Sequence, residues 1–450
     1  MPNKILVINI LIAFTFISSK SPDVKNVSQH IDTPNIIVLF PDDMGYGDVS
    51  GNGHPTIKTP NIDRIANNGI KLTNFYSGSP ACTASRYSLL TGKYPIKSGF
   101  DWVLYPKSER GIHPKELTLA EGLKSVGYKT AMFGKWHLGS TKMEYLPIQN
   151  GFDEYIGLPY SNDMIPPKWP DIPLFHNNDT LELNPDQTKL TKLYTNKAIE
   201  FIEKNKENKF FVYLPYAMPH VPLYPGKEFK NTSERGEYGD VIEEIDWSVG
   251  QIISTLEKLN LDKNTVVFFA SDNGPWIIKG LKGGSSGLFR DGKGSTWEGG
   301  MRVPGIIYWP GKAKPNLNTT ISTVRDIYAT SLSLGGVELP ENHNMDGNNL
   351  IELFSNSNTK LNDDKPFFFY GLQNELYAVR KGAWKFHIKT HSQTGKDYFD
   401  GKLPLLFNVN IDPSENHDVS DDNPEIVKEL QSLIDKQLAN VTKTSNYFDK

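Results

Sequence analysis

The chain has 450 residues, with 48 Lys and Arg against 52 Asp and Glu and a formal net charge of −4. This balance excludes a general nucleic-acid or anionic-membrane binder, which carries a strong basic excess, but leaves room for one basic pocket for a small anion. With 38% hydrophobic and 11% aromatic residues, the chain can bury a large core, and its length predicts one big domain with a smaller one, or two domains.

At the N-terminus, Met1-Pro2-Asn3-Lys4, the apolar run Ile5 to Ile17 and Ser18-Ser19-Lys20 read as a secretory signal peptide over residues 1–19. A polar leader, Lys20 to Thr33, follows. The run is shorter than the roughly 20 apolar residues a bilayer span takes, and no later stretch is long and apolar enough, so no membrane span is expected. Cys82 is the single cysteine, which forbids an intrachain disulfide. In an exported chain a lone thiol is either buried or chemically used. Export, the Lys/Asn/Ile-rich composition and the lack of disulfides predict a periplasmic or secreted bacterial protein.

Apolar, β-branched runs at Asn35–Phe40, Lys129–Phe133, Phe210–Leu214, Thr265–Ala270 and Gly305–Trp309 predict strands. Helical patterns lie between them: Pro60–Asn68 closed by Gly69 as a C-cap, Leu117–Val126 closed by Gly127, and a longer helix with the stripe Val241, Ile245, Val249, Ile252, Ile253 and Leu256. This alternation predicts an α/β fold with a large, mostly parallel, covered sheet over residues 34–355. Beyond the polar linker Asn356–Asp364, the strand-like Pro366–Tyr370, Leu376–Arg380 and Trp384–Ile388 precede a turn-rich segment, Asn410–Asn416. A helix over Pro424–Leu438, with Ile426, Val427, Leu430, Leu433, Ile434 and Leu438 on one face, completes a smaller antiparallel C-terminal subdomain over 365–450.

Ligands of such sheets bind beyond the carboxyl ends of the strands. Asp42-Asp43 follows the first strand, Lys135 and His137 the second, His220 the third and Asp272-Asn273 the fourth, so one shared site is expected. Three carboxylates and an amide oxygen are hard ligands suited to Ca²⁺ or Mg²⁺. Arg86, Lys135 and Lys293, in Gly- or Ser-rich stretches read as loops poor in carboxylates, would together make a pocket for sulfate or phosphate. Cys82 falls at a predicted helix N-terminus, and a thiolate is a poor partner for a hard cation. It is therefore not expected to act as a thiol.

The segment Cys82-Thr83-Ala84-Ser85-Arg86 resembles the sulfatase signature C-x-P/A-x-R, whose cysteine is oxidised to Cα-formylglycine. Asp42–Asp48, Thr59–Arg64, Gly134–Gly139, Pro219–Pro222, Ser271–Gly274, Gly292–Gly294, Glu298–Gly300, Arg302–Pro304, Leu406–Asn408 and Asp412–Glu415 are similar to segments of the type I, formylglycine-dependent sulfatases in the same order. These belong to the alkaline-phosphatase-like superfamily, with arylsulfatases and glycan sulfatases the nearest general likeness. Ala84 stands where many members carry proline, so conversion depends on a formylglycine-generating maturation enzyme that accepts it.

The resemblance implies a sulfuric ester hydrolase acting on a sulfated carbohydrate or an aryl sulfate. Residue 82, as a hydrated formylglycine, would attack sulfur. Asp42, Asp43, Asp272 and Asn273, with residue 82, would hold one Ca²⁺. Arg86 would fix the nucleophile, while Lys135, Lys293, His220 and Ser161 would contact the sulfate. His220, with Lys293, would protonate the leaving alkoxide, and His137 would take a proton in the step that expels sulfate. Asp48, Glu298 and Arg302 are expected to brace loops and Trp136 to pack. The stretches Asp163–His176 and Leu281–Asp291, bearing Trp169, Phe175, Phe289 and Arg290, would shape the pocket. Two other readings stay open: a phosphodiesterase or phosphonate monoester hydrolase of the same superfamily, and an inactive glycan-binding homologue.

Overall fold

The computed structural model describes residues 33–100, 102–340, 343–355, 361 and 364–440. The signal peptide, most of the leader and nearly all of the 356–364 linker lie outside the described residues. From Thr33 onward the chain forms a single unit of contacts.

A ten-stranded sheet runs in the order Asn316–Asn318, Ile70–Leu72, Gly305–Tyr308, Thr265–Ala270, Asn35–Leu39, Phe210–Leu214, Lys129–Phe133, Glu154–Gly157, Pro173–His176 and Asp179–Leu183. Its centre is parallel: Asn35–Leu39 lies between Thr265–Ala270 and Phe210–Leu214, and Phe210–Leu214 pairs with Lys129–Phe133. Every residue of the strands beginning at Asn35, Phe210 and Thr265 is buried. Only a sheet covered on both faces does this, which is why these strands read as unbroken apolar runs. Gly305–Tyr308 pairs antiparallel to Thr265–Ala270, so the sheet is mixed at that side.

Helices Pro60–Asn67, Leu190–Lys204 and Glu237–Lys258 contribute to one core with Ile37, Leu39, Val212, Leu214, Val267 and Phe269. In the longest helix, Val241, Ile245, Val249, Ile252, Ile253 and Leu256 are all buried, as their spacing predicts. Helix Cys82–Thr91 packs with Leu119–Ser125 and Val324–Gly335. All ten of its residues are buried. With no solvated face it has no amphipathic stripe, and Arg86 therefore lies in the second turn of a core helix, not in the loop expected from its small polar neighbours.

Gly127 takes the left-handed conformation of a helix stop, with φ +91. Gly69 does not, and the C-cap expected there is wrong. A Cβ at Gly69 would stand 2.3 Å from the Ile307 carbonyl oxygen, so glycine serves a close backbone approach. The stretch Asp163–His176 ends in a strand, Pro173–His176, that pairs with Asp179–Leu183.

The second sheet is antiparallel, in the order Phe367–Tyr370, Leu376–Lys381, Trp384–His387 and Leu405–Asn408. The last strand was not among those predicted. Helix Pro424–Asn440 packs on this sheet through Leu430 and Ile434, whereas Leu438, expected on the same face, is exposed.

Candidate active site

Parallel strands deliver the predicted residues to one edge. Asp42-Asp43, Lys135, His137, His220, Asp272 and Asn273 are all buried there, and helix Cys82–Thr91 points its first residue at them. Asp43 and His137 sit at positive φ, +67 and +61, a conformation uncommon outside functional sites and turns. The Asp43 N–H donates to Asp272 Oδ1 at 3.0 Å, and Asn273 Nδ2 donates to Asp43 Oδ1 at 2.7 Å. Ligand atoms of Asp42, Asp43, Cys82 and Asp272 lie within 4.8 Å of one another.

Each cation meets a carboxylate, contrary to the sequence expectation. Arg86 donates to Asp272 Oδ2 through Nε at 3.1 Å and Nη2 at 2.9 Å, and Nη2 lies 3.5 Å from Asp42 Oδ1. Lys135 Nζ pairs with Asp42 Oδ2 and donates to Ser161 Oγ at 3.1 Å. Lys293 Nζ lies 2.7 Å from Asp43 Oδ1 and 3.3 Å from Cys82 Sγ. Chain order hid these pairs because Lys135 lies 93 positions from Asp42, Arg86 186 from Asp272 and Lys293 250 from Asp43.

Three carboxylates balance three cations, yet the cluster is not closed. Asn273 Oδ1 is buried without a hydrogen-bond partner, and so is Asp42 Oδ1, whose one neighbouring cation is Arg86 Nη2 at ion-pair distance. An unanswered buried oxygen is costly, and two of them beside two further carboxylates form a hard-oxygen donor set that fits a divalent cation. Burial, then the Asp42 carboxylate, raises Asp272 to about 7, a strain that a bound cation relieves. Asp42 is held well below its usual value: burial opposes this, but Lys135, His220 and Arg86 outweigh it.

Burial and then Asp42 push the Cys82 thiol well above its ordinary value. The unmodified side chain is therefore neutral and a weak nucleophile. Burial and then Lys135 hold His137 neutral. Its Nε2 lies 2.9 Å from the Leu104 carbonyl oxygen, so Nε2 carries the proton and the buried, unpartnered Nδ1 is left as an acceptor. His220 Nδ1 donates to the Val221 carbonyl at 2.7 Å, leaving Nε2 3.7 Å from Asp43 Oδ2. Burial and then Lys293 lower His220 as well. Its Nε2 thus needs a proton before it can act as an acid.

Sequence reading missed Trp276, Asp291, Gln393 and Tyr398. The Trp276 ring lies 5.4 Å from that of His220 and 4.9 Å from Lys293 Nζ; its place just after Asp272-Asn273-Gly274-Pro275 was the available signal. Gln393 Nε2 donates to the Lys293 carbonyl at 2.7 Å and its Oε1 accepts from the Ile278 N–H at 3.0 Å. Asp291 accepts from the Gln393 N–H at 3.1 Å and from Tyr398 Oη at 3.2 Å. The C-terminal region thereby fixes the backbone of the Lys293 loop, for which no local pattern gives notice.

The braces behave as expected. Asp48 accepts from the Gly45 and Ser285 N–H groups and from Tyr238 Oη. Trp136 is fully buried and donates to the Tyr145 carbonyl. Arg302 pairs with Glu298 at 3.0 Å.

Residues 34–337 match the Sulfatase family and residues 362–450 the C-terminal region of aryl-sulfatase. N-acetylgalactosamine-6-sulfatase of Mus musculus is 37% identical over 431 residues, covering 86% of this chain and 82% of that protein. The PsFucS1 sulfatase from Pseudoalteromonas sp. superposes with a TM-score of 0.82 at 29% identity, covering 92% of this chain and 91% of its own. Ps i-CgsB, solved in complex with k-i-k-neocarrahexaose, superposes with a TM-score of 0.79 at 30% identity, covering 92% and 94%. With the acid- and cation-lined edge and Cys82 at its helix start, these likenesses establish that the chain belongs to the sulfatase family and is a sulfuric ester hydrolase.

Proposed function

We propose that the enzyme releases sulfate from a sulfated carbohydrate, and that Cys82 becomes formylglycine through a maturation enzyme. The observation that carries this reading is the cluster itself: Arg86, Lys135 and Lys293 converge with Asp42, Asp43 and Asp272 on Cys82, and two buried oxygens remain open. Asp42, Asp43, Asp272, Asn273 and residue 82 would hold Ca²⁺, whose two charges turn a balanced cluster into one with an excess of positive charge, suited to an anionic ester. Formylglycine, once hydrated, supplies the nucleophilic oxygen that a neutral thiol does not.

The remaining work falls to side chains of this chain. Lys135, Lys293 and Ser161 hold sulfate oxygens and orient sulfur in line with its leaving group. Arg86, anchored on Asp272, fixes residue 82. Lys293 stays cationic, since the carboxylate of Asp43 outweighs its burial. Beside it, His220 gains a proton as the substrate anion enters and passes it from Nε2 to the departing alkoxide. His137, through Nδ1, takes up the proton released when sulfate leaves.

A carbohydrate substrate is supported by the sugar-directed relatives and by the aromatic side chains near the cluster, Trp276 and the stacked pair Tyr105–Trp169 at 5.1 Å, next to Leu104, the partner of His137. Export to the periplasm or medium, and a division into a catalytic domain over 34–355 and a subdomain over 365–450, belong to the same proposal. Among the described residues no helix is long and apolar enough to cross a membrane.

Sulfate release should be measured across defined sulfated oligosaccharides, with an aryl sulfate and an aryl phosphate diester alongside. The reading predicts that at least one sulfated sugar exceeds the aryl sulfate in kcat/KM. Faster turnover of the phosphate diester than of every sulfate would overturn it.

A further inference from the structure

Helix Cys82–Thr91 has the candidate centre at its first residue. Past its other end, on the order of 15 Å away by helix rise, lies a second charged place. Arg325, in the first turn of helix Val324–Gly335, is 2% exposed. Its guanidinium carbon stands 3.6 Å from the centre of the Tyr94 ring and 5.3 Å from that of Phe367. Stacking engages the face of a guanidinium and leaves its N–H groups, which radiate in the plane, still to be met.

They are not met here. Nε and Nη1 are buried with no hydrogen-bond partner, and among the described residues no carboxylate comes within ion-pair distance of Arg325. The two carboxylates nearby serve other groups. Asp346 accepts from Lys97 Nζ at 2.7 Å and from the Tyr94 N–H at 2.8 Å. Asp326 accepts from the Thr323 N–H at 2.8 Å and the Asn348 N–H at 2.7 Å. A buried cation without a counter-charge is among the costlier arrangements in a protein interior.

Arg325 borders a cavity of about 220 Å³ together with Thr323, Asp346, Asn348, Lys365 and Gln437, the Asp346 carboxylate being offset by Lys97 at 2.7 Å. The Lys365 ammonium, donating to Asn348 Oδ1 at 2.6 Å, brings a second positive charge to the same space. We propose that this cavity binds a small tetrahedral oxyanion, sulfate or phosphate. Its charge answers the buried guanidinium, and its oxygens accept from the edge of Arg325 that borders the cavity, from Lys365 and from the neutral amides. The site is separate from the catalytic centre and nothing in the reaction requires it.

Crystals soaked in selenate, a sulfate isostere with an anomalous scatterer, test this directly, because position separates the cavity from the centre at Cys82. The wild type should show a selenium peak beside Arg325. Arg325→Met should lose it, and Arg325→Lys, which keeps charge without the planar fork, should bind about tenfold more weakly, both with aryl-sulfate turnover unchanged. Phosphate competing the peak away identifies a general oxyanion site, and failure to compete identifies one that takes sulfate; either supports the proposal. A selenium peak only at Cys82, or a cavity peak that survives in both variants, overturns it. Should Arg325→Met fail to fold, the wild-type soak and Arg325→Lys decide alone.

Discussion

Two buried ionic clusters in this protein have nearly the same ingredients and opposite behaviour. At the sheet edge, Asp42, Asp43 and Asp272 face Arg86, Lys135 and Lys293. Against the C-terminal sheet, Glu298 and Glu415 face Arg302, Arg380 and Lys385. In the second cluster both oxygens of Glu298 are taken, one by Tyr76 Oη at 2.7 Å and Arg302 at 3.0 Å, the other by Lys385 at 2.9 Å. Burial alone would raise Glu298, but Lys385, Arg302 and Arg380 outweigh it and draw it to about 2. In the first cluster carboxylates crowd one another, Asp272 rises to about 7, and two buried oxygens, Asp42 Oδ1 and Asn273 Oδ1, accept no hydrogen bond. A closed network fastens two layers together, and an open one is built to receive something.

Five perturbations break or sharpen that contrast. The largest effect belongs to Cys82→Ala, which should cost at least about 10⁴-fold in sulfate release, since it removes the nucleophile. Thermal unfolding should barely move, because a small buried side chain replaces another. Next comes Glu298→Ala, which takes the carboxylate from Arg302 and Arg380 and leaves Lys385 only Glu415 at 3.1 Å, and should destabilise by about 3–5 kcal/mol in urea titration, while turnover per folded molecule stays within about twofold.

The same residue sets an acid limit. Its folded value near 2 lies below the ordinary 4.5, so its contribution is fully present above pH 4.5 and is lost as pH falls toward 2, a span worth on the order of 3 kcal/mol. Glu298→Gln should flatten the stability curve between about pH 5 and pH 3; an unchanged acid slope would count against the closed-network reading.

Chelation acts on the other cluster. Stripping a divalent cation present at 100 times its dissociation constant should remove about 2.7 kcal/mol, returned by Ca²⁺ and followed by thermal shift. The smallest effect is expected from Gln393→Ala, which frees the Lys293 backbone. It should lower kcat about tenfold with a smaller change in KM, leaving the metal content intact.

The sheet was legible where its strands are buried on both faces, because unbroken apolar runs leave few alternatives. The edge rule then gathered Asp42, Lys135, His220 and Asp272 from four distant segments. Helix Cys82–Thr91 was legible as a helix, but its burial on every side was not, since a helix with no solvated face carries no periodic contrast. Short edge strands such as Ile70–Leu72 and Asn316–Asn318 lack the length to stand out. Helix Leu190–Lys204 went unnoticed despite its alternation of apolar and charged residues. Gln393 acts on the Lys293 carbonyl and Tyr398 on the Asp291 carboxylate, each about a hundred positions away, and no spacing within one segment encodes that. The pairing of each cation with a carboxylate was hidden for the same reason.

The account rests on residue 82 being an aldehyde and not a thiol when the open cluster turns over substrate. Peptide mass analysis of preparations graded by sulfate-release activity tests it most directly. The peptide bearing residue 82 should have lost the elements of hydrogen sulfide and gained one oxygen, in a fraction that rises in proportion to activity. A fully active preparation in which that peptide still carries the intact cysteine would contradict it.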